Sequence, residues 1–496
     1  MRKNLLVLLL LCSMSAMADT WYVGFRDKAG TSGSLDHPEK FLTERSIARR
    51  KSQNIGIDST DLPVSTTYVD SLRKMGLSIV HTSKWLNGAS VVVPESFNTG
   101  TLQALSFVKT LQRTKRDKPF SQSAPRKKLP SVDGEPSGPE TAADHASEYM
   151  NMIGVNAIHA MGHKGEGKRI AVIDDGFSMV HSLSIFSHVR KSILATYNIV
   201  SPENSVYEKG SHGAGVLALL AGMLADTTMG TAPNAEYVLF LTEDDASESL
   251  LEVDNMVRAM EMADSLGVDL ISASLGYYEF DDLTTNFKYK DLDGKTARAS
   301  LAATMAARKG ILVCIAAGNE GDKAWHYIDV PADADSIIAV GGVDYFREHS
   351  TFSSYGPASD MRVKPDVCAM ATRVPIYYPS GLNYGNGTSF ATPIMAGAAA
   401  SLWSALPELT AMQIRERIIH SADRYNNPDG EYGYGIPNML LAYRGEPFTE
   451  LTYIPAPDET EGIYDISGRA MGTDINRLPS GIYIIKGKDF VRKIMK

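Results

Sequence analysis

The chain is poor in cysteine, with 3 among 496 residues. That is too few for a disulfide framework. Cys12 falls in the leader described below, which leaves Cys314 and Cys368. Cys314 lies in the apolar run ILVCIAAG, read as a buried strand, so two buried free thiols are expected rather than a bridge. Long apolar runs are missing too. Beyond the leader no stretch reaches the roughly 20 residues that cross a bilayer, which excludes a transmembrane helix. There is no excess of positive charge. The net charge of -9 argues against nucleic acid as a partner, because polyanion binders carry a basic surface. No repeat of fixed period occurs, so a repeat architecture is excluded. With 44% hydrophobic and 22% charged residues the chain is globular, and its length calls for several units.

Residues 1–18 read as a signal peptide. Arg2 and Lys3 precede the apolar run Leu5 to Leu11, and Ala16-Met17-Ala18 supplies small residues before a cut at Asp19. The expectation is a secreted or cell-surface protein. Residues 19–112 read as a small α+β unit, with WYVGF, SIVHTS and ASVVVP as strands and FLTERSIARRKS and TTYVDSLRKMG as helices. Residues 113–147 form a linker, basic from Arg113 to Lys128 and then rich in Pro, Ser and Gly, where processing is expected. From 148 to 445 apolar strand-like runs alternate with helical ones, from RIAVID to ILVCIAAG. This predicts an α/β unit with a parallel sheet, whose site lies beyond the carboxyl ends of the strands. Residues 446–496 form a short β-rich tail with Gly turns.

Four motifs fall at such strand ends. In RIAVIDDGF an apolar strand delivers Asp174 to the sheet edge, although Asp-Gly also makes ordinary turns. In SHGAGVLALLAG, His212 opens an apolar helix, where a plain capping role is the alternative. In NGTSFATPIMAG, Ser389 precedes a helix of small residues. Pro393 is tolerated only near a helix start, so Ser389 sits where free N–H groups favour negative charge, or simply caps the helix. In AAGNEG, Asn319 follows a strand, and its amide could donate to an oxyanion or hold a loop. Asp174, His212 and Ser389 are far apart in the chain, so only a fold can gather them.

These motifs, with SASLG at 272–276, resemble the subtilisin family of serine proteases. The resemblance implies a three-layer α/β fold with a mainly parallel central sheet. It implies that Ser389 is the nucleophile, His212 the general base and acid, and Asp174, rather than Asp175, the group that orients the imidazole. Asn319 and the Ser389 N–H would form the oxyanion hole. Ser274, Leu275 and Gly276 would pair with the substrate backbone. The first pocket would be lined by these and by Ala316, Ala317 and Gly318. Asp329 would lie near its floor, where many relatives carry glycine, and a carboxylate there favours Lys or Arg. The chain departs from the family at Ala214 and Gly215, where Thr and His are common.

No cofactor is implied for the chemistry. Relatives often bind calcium, but DLDG at 291–294 lacks the glutamate an EF-hand needs, since position 302 is Ala302, and it reads as a turn. By position, residues 19–112 would be a propeptide that assists folding and inhibits the enzyme until cut away. The end of the tail, with IYDISGRA and LPSGIYIIKG, resembles sorting domains of type IX secretion substrates, which would make that machinery a partner. Two other classes stay open: a non-catalytic binding protein on the same fold, and another acyl hydrolase or peptide ligase.

Overall fold

The computed structural model describes residues 18–117, 132–133, 148–224, 227–228 and 230–448, and in the tail 460–465, 468–474, 478, 482–487 and 491–495. The signal peptide expected at 1–18 lies outside the described residues except for Ala18, and so does most of the expected linker.

The N-terminal unit is an antiparallel sheet of β1 (Ala18–Phe25), β2 (Ser78–Ser83), β3 (Gly88–Pro94) and β4 (Val108–Lys115), in the order β2-β3-β1-β4. It carries helices α1 (Glu44–Ser52) and α2 (Thr66–Lys74) and the short α3 (Gly100–Gln103). Thr43 and Ser65 start the two longer helices by accepting the N–H of Ser46 and of Tyr68, two of the donors a helix start leaves unpaired. Val23, Phe25, Leu72, Val91 and Leu102 fill a core of this unit's own. Arg113 and Lys115, read above as linker, belong to β4. Strand pairing with β1 carries the chain past the apolar stretch, and register with an existing edge outweighs the polar side chains.

The large unit is built on seven parallel strands: β6 (Arg169–Asp174), β7 (Ile193–Asn198), β10 (Glu236–Leu241), β11 (Leu270–Ala273), β12 (Leu312–Ala316), β13 (Ile338–Val343) and β14 (Val367–Met370). Their order is β14-β13-β12-β11-β6-β10-β7. β6 shows why these runs are apolar throughout. Ile170 and Val172 face one core, and Ala171 and Ile173 face the other. The first core is closed by α4 (Val155–Ala160), α5 (His212–Ala221), α8 (Thr388–Ala405), α9 (Ala411–His420) and α10 (Met439–Arg444); the second by α6 (Leu250–Ser265) and α7 (Arg298–Arg308). The arrangement is three layers, as expected.

Small residues let α8 run through the middle of its core. A Cβ on Gly397 would stand 2.0 Å from the Thr231 hydroxyl. Short elements complete the unit. β5 (Val132–Asp133) pairs with the hairpin β15 (Val374–Tyr378) and β16 (Gly381–Gly385), and β8 (Met223–Leu224) pairs with β9 (Thr227–Thr228). The tail is a sheet of β17 (Thr460–Asp465), β18 (Ala470–Gly472), β19 (Ile482–Gly487) and β20 (Val491–Met495) around Ile463, Tyr483 and Ile485. Among the described residues, no helix is long and apolar enough to cross a membrane.

The N-terminal unit docks on α6 and α7 through buried charge. Asp264 of α6 accepts from Arg49 at 2.6 Å, Arg50 at 2.8 Å and Lys84 at 3.1 Å. Asp61 accepts from Arg50 and from Lys309, the residue that follows α7, both at 3.0 Å. Burial pushes the Asp264 carboxyl up, but Lys84, Arg49 and Arg50 outweigh it and hold it below its ordinary range. Each charge of this cluster is paired, as burial requires.

Candidate active site

Asp174 is the last residue of β6, so the strand delivers its carboxylate to the carboxyl edge of the sheet. His212 is the first residue of α5. The helix start is drawn tightly against the strand end. A Cβ on Gly213 would stand 2.2 Å from the Gly176 carbonyl and 2.9 Å from the Asp174 Cβ, so only glycine permits the approach. Asp175 accepts the Gly213 N–H at 3.0 Å and ties the same two elements together. At Gly215 a side chain would meet Ile376 and Tyr378 of β15. The hairpin occupies the space, which accounts for the small residue there.

Ser389 is the second residue of α8, after Gly387 at φ 152°. Pro393 stands in the second turn of that helix. Lacking an N–H, it cannot bond the carbonyl four residues back, which is that of Ser389. The Ser274 hydroxyl donates to that carbonyl instead, at 2.7 Å. Ser274 thus repairs the bond the proline removes and fixes the extended segment 274–276 beside Ser389.

The three side chains form one hydrogen-bonded line. His212 Nδ1 lies 2.7 Å from Asp174 Oδ1, and His212 Nε2 lies 3.0 Å from Ser389 Oγ. All three are buried. Burial alone pushes the His212 imidazole down; the charge and hydrogen bond of Asp174, with the charge of Asp175, outweigh it and hold the pKa above the ordinary value. Burial and the Asp174 charge push Asp175 up to about 7. Among the described residues, Asp174, Asp175 and His212 are the one group of three ligand-type side chains near enough to share an ion. Both ring nitrogens of His212 are already engaged, which leaves none for a metal.

Asn319 follows β12. Its Oδ1 accepts the Thr388 N–H at 2.8 Å and the Thr388 hydroxyl at 3.1 Å. With the carbonyl end of the amide held, its NH2 is the end available to a substrate. The Ser389 N–H is among the first four of α8, which have no partner within the helix. Thr388 also clamps Gly318: its hydroxyl oxygen accepts the Gly318 N–H at 3.2 Å, and its single proton is shared between the Gly318 carbonyl and Asn319 Oδ1, each 3.1 Å away. Segments 274–276 and 316–318 therefore flank Ser389 on two sides. Asp329 lies between them, 1% exposed, with its N–H on the Ala317 carbonyl at 2.9 Å. Asp293 accepts the N–H of Lys295 and of Thr296 at 2.8 and 2.7 Å, closing the turn expected at DLDG.

Sequence reading missed Thr388 as the holder of Asn319, and it missed Glu320, a buried neighbour of the same segment. Threonine before the serine was legible only as part of a motif. Glu320 directly follows Asn319 in AAGNEG, and no local pattern there marks a buried acid.

A family model described as the subtilase family matches residues 165–435, 271 of 496 residues. The chain belongs to the subtilase family. A model of the peptidase S8 propeptide domain of Bacteroidota matches residues 20–129. Subtilisin DY of Bacillus licheniformis is 32% identical over 296 residues, covering 59% of this chain and 96% of the relative. Subtilisin NAT of Bacillus subtilis subsp. natto is 31% identical over 325 residues, covering 62% of this chain and 76% of the relative. A solved structure of the MycP3 protease from the type VII (ESX-3) secretion system is similar with a TM-score of 0.47 and 20% identity, over 62% of this chain and 90% of that one. This subtilase is a serine peptidase with its propeptide domain in the same chain.

Proposed function

We propose that the enzyme is a secreted endopeptidase, made as a zymogen, in which Asp174, His212 and Ser389 perform acyl transfer. The observation that carries this reading is the unbroken line Asp174–His212–Ser389 at 2.7 and 3.0 Å. Ser389 Oγ bonds to the scissile carbonyl carbon as its proton passes to His212 Nε2. The C–N bond then breaks, and the imidazolium gives that proton to the leaving amine. Water, deprotonated by the same nitrogen, bonds to the acyl carbon; the C–Oγ bond breaks, and the imidazolium returns the proton to Ser389 Oγ. Asp174 keeps Nδ1 protonated and stabilises the imidazolium. The negative oxygen is received by the Asn319 amide and the Ser389 N–H, both fixed before substrate arrives. The edge Ser274-Leu275-Gly276 pairs with the substrate backbone. No cofactor enters these steps.

Residues 19–112 act on this reading as intramolecular chaperone and inhibitor, with maturation in the segment 113–147. A sheet of seven parallel strands needs many non-local pairings and folds slowly, which a docked template speeds. The signal peptide at 1–18 directs export, and the tail from 446 serves type IX sorting. Labelling with a fluorophosphonate tests the core of the reading. The tag is expected on the peptide that contains Ser389, and its placement on any other residue would overturn the assignment.

A further inference from the structure

The extended edge 274–276 is held at both ends. At one end the Ser274 hydroxyl donates to the Ser389 carbonyl at 2.7 Å. At the other stands Tyr277, 1% exposed. Its backbone exchanges both bonds with Val330, at 2.8 and 3.0 Å. Its hydroxyl crosses to a neighbouring strand end and donates to Glu243 Oε1 at 2.8 Å. Glu243 follows β10, whose last residue, Leu241, lies in register with Asp174. Thr242, between them in the chain, donates its N–H to the Asp174 carbonyl at 3.2 Å. The Thr242 hydroxyl donates to Glu243 Oε1 at 2.8 Å, the same oxygen that receives Tyr277. Asn255 of α6 braces this turn, with its amide donating to the Thr242 carbonyl at 3.0 Å.

A ring of hydrogen bonds results. It runs from Asp174 through Thr242, Glu243 and Tyr277 to the edge, from Ser274 to Ser389, and back through His212 at 3.0 and 2.7 Å. Glu243 is the joint between the strand end that carries Thr242 and the segment that carries Tyr277. Burial and the charge of Glu248 push the Glu243 carboxyl up to about 8, against the hydrogen bonds from Tyr277 and Thr242; the Asp174 charge adds a smaller push. At neutral pH Glu243 is thus an uncharged acid. It accepts two hydroxyls without adding negative charge beside Asp174.

We infer that Glu243 is a positioning residue for peptide hydrolysis, which through Tyr277 fixes the edge 274–276 relative to Ser389 and His212. The inference rests on the peptidase reading, with that edge pairing to the substrate backbone. Glu243 acts through Tyr277 and Thr242, away from the reacting atoms. A peptide laid along an edge that has shifted presents its carbonyl less well to Ser389 Oγ, and small misplacements are costly in rate. Losing the acceptor of a buried hydroxyl is enough to release the edge. A substrate too small to reach the edge is spared.

The test uses matured enzyme, with active sites counted by fluorophosphonate titration so that misfolding is separated from altered rate. The substrates are an extended peptide that lies along the edge and p-nitrophenyl acetate, which does not reach it. Glu243→Ala should lower kcat/KM for the peptide by about ten-fold or more and leave the ester within about three-fold of wild type. Glu243→Gln keeps an acceptor oxygen and matches the uncharged acid, so at neutral pH it should hold the peptide rate within about three-fold of wild type. If Glu243→Ala yields no titratable sites, Tyr277→Phe, which removes only the hydroxyl, should lower the peptide rate alone by about five-fold. An unchanged peptide-to-ester ratio in Glu243→Ala or Tyr277→Phe, an equal loss of both substrates, or failure of Glu243→Gln to keep the peptide rate would overturn the inference while leaving the peptidase reading intact. Wild type that takes no label on Ser389 would overturn both.

Discussion

Replacing Asp264 by alanine should uncouple the propeptide from the enzyme. In the precursor this carboxylate is fully buried and holds Arg49, Arg50 and Lys84, all from the N-terminal unit. Removing it takes the ion-pair partner from Arg49 and Lys84 in a buried interface and leaves Arg50 with Asp61. Breaking a buried pair by deleting one partner costs about 3–5 kcal/mol. In a binding constant that is roughly 150- to 5,000-fold. The assay titrates mature enzyme with the added unit 18–117, which has a core of its own around Val23, Phe25 and Leu72. Wild type should be inhibited, and Asp264→Ala should need at least about 150-fold more inhibitor. The variant should digest casein like wild type, because Asp264 takes no part in the site. The sign with pH follows from the cations, which hold its carboxyl below the ordinary range. Its contribution is complete above that range and is lost as pH falls through the lowered value. Inhibition within three-fold of wild type would refute the reasoning.

Three more outcomes are expected. Asn319→Ala should lower kcat by about 100- to 1,000-fold, the range known for this donor in subtilisin itself, with little change in KM; a rise in KM with kcat unchanged would contradict its role. Because burial is outweighed by Asp174 at His212, the acid limb of kcat/KM should lie above the ordinary imidazole value of 6.5, and Asp174→Asn should cost about 10,000-fold in kcat. Asp175 is raised from 3.8 to about 7, so the native state holds a proton that the unfolded state has lost, and stability falls as pH rises across that window. Asp175→Asn should remove this slope, so its melting temperature should gain on wild type at pH 8 relative to pH 4; equal differences at both pH values would count against it.

What could be read without a structure was what short motifs encode. RIAVID is apolar at each position facing either core, and small residues mark the packed helix after Ser389, so the sheet, the helix start and the Asp, His, Asn and Ser positions were legible. Contacts between distant segments were not. Arg49 and Asp264 are 215 residues apart, and each alone reads as a solvated charge on a helix. The pairing of Ser274 with the Ser389 carbonyl depends on a bond that Pro393 fails to make, and the proline was read only as a mark of the helix start. β4 escaped because its last residues are polar and its order comes from β1. The fold class could be derived because it follows periodicity; the docking of the propeptide could not, because it follows charge pairing in three dimensions.

The most direct test of the account compares purified wild type with Ser389→Ala, following casein hydrolysis and the size of each product together. Wild type should shorten itself and digest casein, while the variant stays full length and inert. A Ser389→Ala protein that matures and digests casein like wild type would contradict the central claim.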